Sequence, residues 1–196
     1  MSELYPEGIN EFFDFLEIYK FLLRKSIFLS NEVGKSVFSC TFVKNSKESE
    51  KYMSDKQDLL DRRYLAMAQI WAQNSYCQRR KVGALLVKDK MIISDGYNGT
   101  PSGFENICED EQQVTKPYVL HAEANAITKV AKSNNSSEGS TLYCTASPCL
   151  ECAKLIIQSG IKRVVYGEMY RIDDGIRLLQ RAGIEMKYIE LEIPVE

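Results

Sequence analysis

The sequence predicts an α/β fold: a three-layer α/β/α sandwich around a mixed, mostly five-stranded sheet. Past residue 53, short apolar runs alternate with segments of helical periodicity, the pattern of strands covered by helices. The first two runs are separated only by Lys88-Asp89-Lys90, so an antiparallel hairpin precedes the strand-helix units and makes the sheet mixed.

The first helix runs from Leu59 to Asn74, where Leu60, Tyr64, Met67, Ala68 and Trp71 recur at helical spacing and form one apolar face. Val82–Val87 and Met91–Ser94 are the hairpin strands. A turn-rich loop follows, Gly96-Tyr97-Asn98-Gly99-Thr100-Pro101-Ser102-Gly103, whose glycines allow close approach to a ligand. His121–Lys132 is the second helix, Thr141–Thr145 a strand, and Cys149–Ser159 a third helix stopped at Gly160. Lys162–Tyr166 is the next strand. A helix from Ile172 to Ala182, closed by Gly183, leads into a last strand near Ile184–Ile189.

A chain of 196 residues with 44% hydrophobic content can bury one domain's core. Its N-terminal part differs in character, being rich in Phe, with a polar stretch Lys44–Lys51 that reads as a linker. Residues 1–52 are therefore expected to be an N-terminal extension and 53–196 the functional domain. The extension is either a lineage-specific addition or an upstream stretch outside the native product, with Met53 the start in the second case. The formal net charge of −2 argues against a protein that coats nucleic acid and favours a small metabolite. Apolar residues around Phe12–Leu29 are broken by Asp14, Glu17, Lys20, Arg24 and Lys25, so no membrane span is expected. With no secretory signal pattern and two of six cysteines at metal spacing, the expected compartment is the reducing cytoplasm.

The only histidine, His121, opens His121-Ala122-Glu123, and Pro148-Cys149-Leu150-Glu151-Cys152 follows downstream. This H-x-E…P-C-x-x-C arrangement resembles the signature of zinc deaminases. Cys149 and Cys152 lie three apart, so on one helical turn their thiolates face the same ion. Ser147 is the expected N-cap and Pro148 the first helical residue, and a helix N-terminus favours thiolates. His121 would complete a three-ligand set with the fourth tetrahedral position left for water, the pattern of a catalytic rather than structural zinc. Glu123 is the expected proton carrier, moving a proton from that water to a substrate ring nitrogen and then to departing ammonia.

From about Met53 to Leu191 the chain resembles the deoxycytidylate (dCMP) deaminases of the cytidine deaminase superfamily. The matching pieces are Val82-Gly83-Ala84, the 96–103 loop, His121-Ala122-Glu123-Ala124-Asn125-Ala126-Ile127 and Ser147-Pro148-Cys149-Leu150-Glu151-Cys152-Ala153-Lys154. The resemblance implies a cytidine deaminase-like fold, hydrolysis of dCMP to dUMP for dTMP synthesis, one catalytic Zn2+ and a homo-oligomer, often a hexamer. It also implies dCTP (with Mg2+) and dTTP as possible effectors. Gly96, Tyr97, Asn98 and Gly99 are the candidate substrate or effector contacts, with Ala122 beside the metal. Alternatives are a deaminase of another free cytidine nucleotide (CMP or dCTP) and a nucleotide-binding competence accessory protein.

A monophosphate needs a cation, and Arg79 and Arg80 stand just before the first strand, with Arg171 a weaker candidate. Some relatives carry a second zinc on cysteines near Cys77 and Cys108 with a further histidine. This chain has no second histidine, so a single zinc is expected and Cys77 and Cys108 are expected to be ordinary thiols.

Overall fold

The computed structural model describes residues 35–170 and 172–191. Arg171 and the Phe12–Leu29 stretch lie outside the described residues. Residues 1–53 and 54–196 separate into two compact units. The elements in order are α1 (Lys35–Ala72), β1 (Gly83–Lys88), β2 (Met91–Tyr97), α2 (Ala122–Ala131), β3 (Thr141–Cys144), α3 (Leu150–Gln158), β4 (Arg163–Tyr166), α4 (Asp174–Arg181) and β5 (Glu185–Tyr188). None of the described helices is long and apolar enough to cross a membrane.

The five strands form one mixed sheet in the order β2-β1-β3-β4-β5. β1 is antiparallel to both β2 and β3, whereas β3, β4 and β5 run parallel. The hairpin turns through Asp89 and Lys90, both at positive φ (50° and 63°), the conformation that matches the twist of the flanking strands.

Strand side chains alternate between two cores, as a period of two requires. Ala84, Leu86, Leu142, Cys144 and Val164 face a core filled by Ala122, Ala126 and Val130 of α2, Ile156 of α3 and Leu179 of α4. Leu85, Val87, Tyr143 and Val165 face the opposite layer, where Leu65 and Ala68 of α1 cover the sheet. The predicted three layers are therefore present. α3 and α4 end at Gly160 and Gly183, both at positive φ, where a left-handed residue closes the last turn.

Three expectations need correction. Lys44–Lys51 is helical within α1 rather than a linker, because most of its residues are Lys and Glu, which are good helix formers. The buried stripe of α1 is Asp61, Leu65, Ala68 and Ala72, so the expected face is rotated, and Met67 and Trp71 are exposed. Asp61 explains the rotation. Its carboxylate accepts a bidentate pair from Arg163 at 2.8 and 2.7 Å, and bonds from Lys187, Tyr143 and Gln57, so a charge holds a core position that apolar counting rejects. Third, Cys77 and Cys108 are not ordinary thiols but a disulfide. Both are buried where the 75–82 stretch crosses the 99–120 segment, and their Cα atoms stand 5.1 Å apart, within disulfide reach.

Candidate active site

Two helix N-termini meet beside β1. His121 is the N-cap of α2 and Cys149 the N-cap of α3, each with extended backbone (φ −74°, ψ 155° and φ −73°, ψ 172°). Neither side chain caps its own helix, so both are free to face a common point. The cap thus falls on Cys149 rather than Ser147, whose hydroxyl instead accepts the Tyr170 N–H at 2.7 Å. Cys152 follows one turn later, buried.

His121 Nδ1 lies 3.4 Å from Cys149 Sγ and 3.4 Å from Cys152 Sγ. The three donor atoms all fall within 4.8 Å of one another. Zinc bonds of about 2.0 Å to nitrogen and 2.3 Å to sulfur at a tetrahedral angle require an N···S separation of about 3.5 Å, so the donors fit that ion. Their chemistry fits as well. The hydrogen bond from Cys152, then that from His121, holds the Cys149 thiol down at about 3, so a thiolate is ready as a ligand.

Glu123 sits on the first turn of α2, 4% exposed. Burial pushes its carboxyl above the usual range, which His121 and the Glu123 backbone N–H only partly offset. A carboxyl so placed exchanges protons nearer neutral pH than a solvated one.

These groups open onto a cavity of about 410 Å³, within the range of nucleotide-sized sites. His121, Ala122, Glu123 and Cys149 line it together with Asn98, Arg79, Arg80 and Tyr170. Asn98 is fixed from both sides: Oδ1 accepts the Val82 N–H at 2.8 Å, and Nδ2 donates to the Arg80 carbonyl at 2.9 Å. Buried Glu109 accepts the N–H groups of Gln78 and Arg79 at 3.1 and 3.2 Å and so holds the arginine-bearing turn. Arg79 Nη1 reaches Thr115 Oγ1 at 3.4 Å, whereas Arg80 donates to Glu168 and lies over Tyr170.

The 96–99 stretch, expected to be loop, is divided, with Gly96 and Tyr97 closing β2. Asn98 faces the first cavity, while Tyr97 and Gly99 line a second of about 590 Å³ with Phe104, Asn125, Lys129 and Lys132. Gly96 is buried against α2, with Ala126 N 2.6 Å from where a Cβ would stand. Tyr170, Glu168, Glu109 and Thr115 are site neighbours that no motif marks. An aromatic shortly after a strand end was the available signal for Tyr170 alone.

The mixed sheet, the converging His-Cys-Cys donors and the buried carboxylate beside them are the features of the zinc-binding deaminase class. The family model described as the cytidine and deoxycytidylate deaminase zinc-binding region matches residues 59–168, and the chain belongs to that family. It is similar to the deoxycytidylate deaminase of Saccharomyces cerevisiae, 34% identical over 137 residues, covering 65% of this chain and 44% of the yeast protein. The chain thus spans less than half the length of that relative. It is also similar to ComE operon protein 2 of Bacillus subtilis, 35% identical over 133 residues, covering 66% of this chain and 70% of the relative. Among solved structures, the dCMP deaminase from cyanophage S-TIM5 in complex with dCMP and dUMP matches with a TM-score of 0.63 and 51% identity, covering 64% of this chain and 93% of that one.

Proposed function

We propose that this chain hydrolyses dCMP to dUMP and ammonia, supplying dUMP for dTMP synthesis. The observation that carries the reading is the shared cavity, lined by His121, Cys149 and Glu123 together with Arg79 and Arg80, with buried Cys152 completing the donor set behind it. His121, Cys149 and Cys152 would hold one zinc ion, which when bound supplies a water with its pKa lowered toward about 7. Glu123 takes the water proton on its carboxylate and gives it to pyrimidine N3; it then takes the proton of the hydroxyl newly bonded to C4 and gives it to the amine, so that the C4–N bond breaks, ammonia leaves and C4 keeps a carbonyl. Arg79 and Arg80 meet the 5′-phosphate, for which arginine's forked donors are suited. Asn98, held by Val82 and Arg80, presents its remaining donor and acceptor capacity to the sugar. Ala122, next to His121 in sequence, lines the same cavity.

Residues 53–196 form the deaminase domain on this reading, with 1–52 an extension. The second cavity, lined by Tyr97, Gly99, Lys129 and Lys132, supports the reading of a nucleotide effector such as dCTP with Mg2+, or dTTP. A homo-oligomer, a hexamer among the options, in the cytoplasm and without nucleic-acid partners completes the proposal. Buried Glu123 disfavours a pure binding protein, which needs no proton carrier at a metal site. Ammonia release from dCMP, CMP and dCTP, with and without dCTP, dTTP and Mg2+, tests it. dCMP turned over fastest supports the assignment, and faster release from CMP or dCTP overturns the substrate.

A further inference from the structure

Arg80 does not face the cavity alone. Its Nη2 donates to the carboxylate of Glu168, and its guanidinium lies 5.6 Å over the centroid of Tyr170. Glu168 and Tyr170 share the short segment after β4, which is fastened to Ser147: Ser147 N–H donates to the Glu168 carbonyl at 2.8 Å, and Tyr170 N–H to Ser147 Oγ at 2.7 Å. Ser147 precedes Pro148 and Cys149, so the segment that carries the carboxylate is hydrogen-bonded to the stretch that carries a metal ligand.

A carboxylate beside the cation meant for an anionic substrate opposes binding, and stability does not explain it. The Arg80 side chain is 34% exposed and that of Glu168 65%, and ion pairs this wet add little to a fold. One carboxylate occupies only part of the guanidinium's five-donor fork, so a phosphate can still be gripped. A longer polyphosphate would bring further negative charge toward Glu168.

We infer that Glu168 sets how much negative charge the site accepts, admitting a monophosphate and disfavouring a diphosphate or triphosphate. This rests on the reading that the cavity takes a deoxycytidine nucleotide through Arg80. One extra unit charge roughly 7 Å from a carboxylate changes affinity by about three- to sevenfold at water-like dielectrics of about 80 down to 40, which suit a side chain this exposed, and by less as salt rises.

The test is calorimetric affinity of zinc-loaded wild type, Glu168→Gln and Glu168→Asp for deoxyuridine, dUMP and dUDP at low and high salt, with dCMP turnover measured alongside. In Glu168→Gln, deoxyuridine binding is unchanged, dUMP binds more tightly, and the dUDP-to-dUMP affinity ratio rises a further three- to sevenfold, about as expected for one charge. The rise shrinks in high salt, and Glu168→Asp keeps the wild-type ratio. An unchanged ratio in Glu168→Gln, or weakened dUMP binding as expected if the carboxylate merely orients Arg80, overturns the inference. A wild type that binds none of the three and releases no ammonia from dCMP overturns the reading of the site together with it.

Discussion

Gly96 of β2 lies directly beneath Ala122 of α2: a Cβ on Gly96 would overlap the Ala122 carbonyl oxygen and stand 2.6 Å from Ala126 N. The contact seats the start of the helix that carries His121 and Glu123 on the edge strand of the sheet. Neither neighbour is a flexible side chain that could move aside.

Replacing Gly96 with Ala therefore forces α2 away from the sheet. We expect a loss of about 1–3 kcal/mol in denaturant unfolding, the usual range for overpacking, and weaker zinc retention because His121 moves with the helix. Gly99→Ala is the comparison. A Cβ there meets only the Tyr97 ring at 3.9 Å, so its stability should stay within about 0.5 kcal/mol of wild type.

The Asp61 cluster predicts acid sensitivity. Burial alone would raise the Asp61 carboxyl, but the bonds from Arg163, Lys187, Gln57 and Tyr143 outweigh it and hold the group well below the usual carboxylate range. A depressed folded value means that the stabilisation is complete above the unfolded value near 4 and is lost progressively as the pH falls below it. Asp61→Asn should remove that component of the pH–stability curve. It should also cost about 3–5 kcal/mol at neutral pH, since Arg163 and Lys187 lose their buried counter-charge. Urea midpoints between pH 3 and 7 read both effects.

The Cys77–Cys108 bond closes a loop with a sequence separation of 31, which in the chain-entropy account stabilises by about 3–4 kcal/mol. Alkylation in denaturant without reductant, followed by intact mass, should leave these two cysteines unmodified. Reductant should then lower the thermal midpoint of wild type but not of Cys77→Ser. Such bonds are rare in a reducing cytoplasm, so protein taken directly from cells and alkylated at once also tests the cytoplasmic assignment.

Much of this arrangement was legible because the signals are local. Short apolar runs marked β1 and β3, glycines marked the ends of α3 and α4, and His121, Glu123, Cys149 and Cys152 follow a spacing that zinc chemistry demands. What was hidden depends on neighbours distant in sequence. Asp61 counts as a surface residue until Arg163 is placed against it. Gly96 looks like a loop glycine until α2 lies over it, and nothing in a 31-residue interval marks Cys77 and Cys108 as partners. Glu168 carries no motif, and its meaning comes from the arginine beside it.

The central claim is that a metal site held by His121, Cys149 and Cys152 works through a proton carried by Glu123. The most direct measurement is zinc content and dCMP turnover of Glu123→Gln beside wild type. The variant keeps the buried shape but cannot carry the proton, so one zinc per chain with turnover reduced by at least about 10²–10⁴-fold is expected. Equal turnover in the two proteins at equal zinc content would contradict the account.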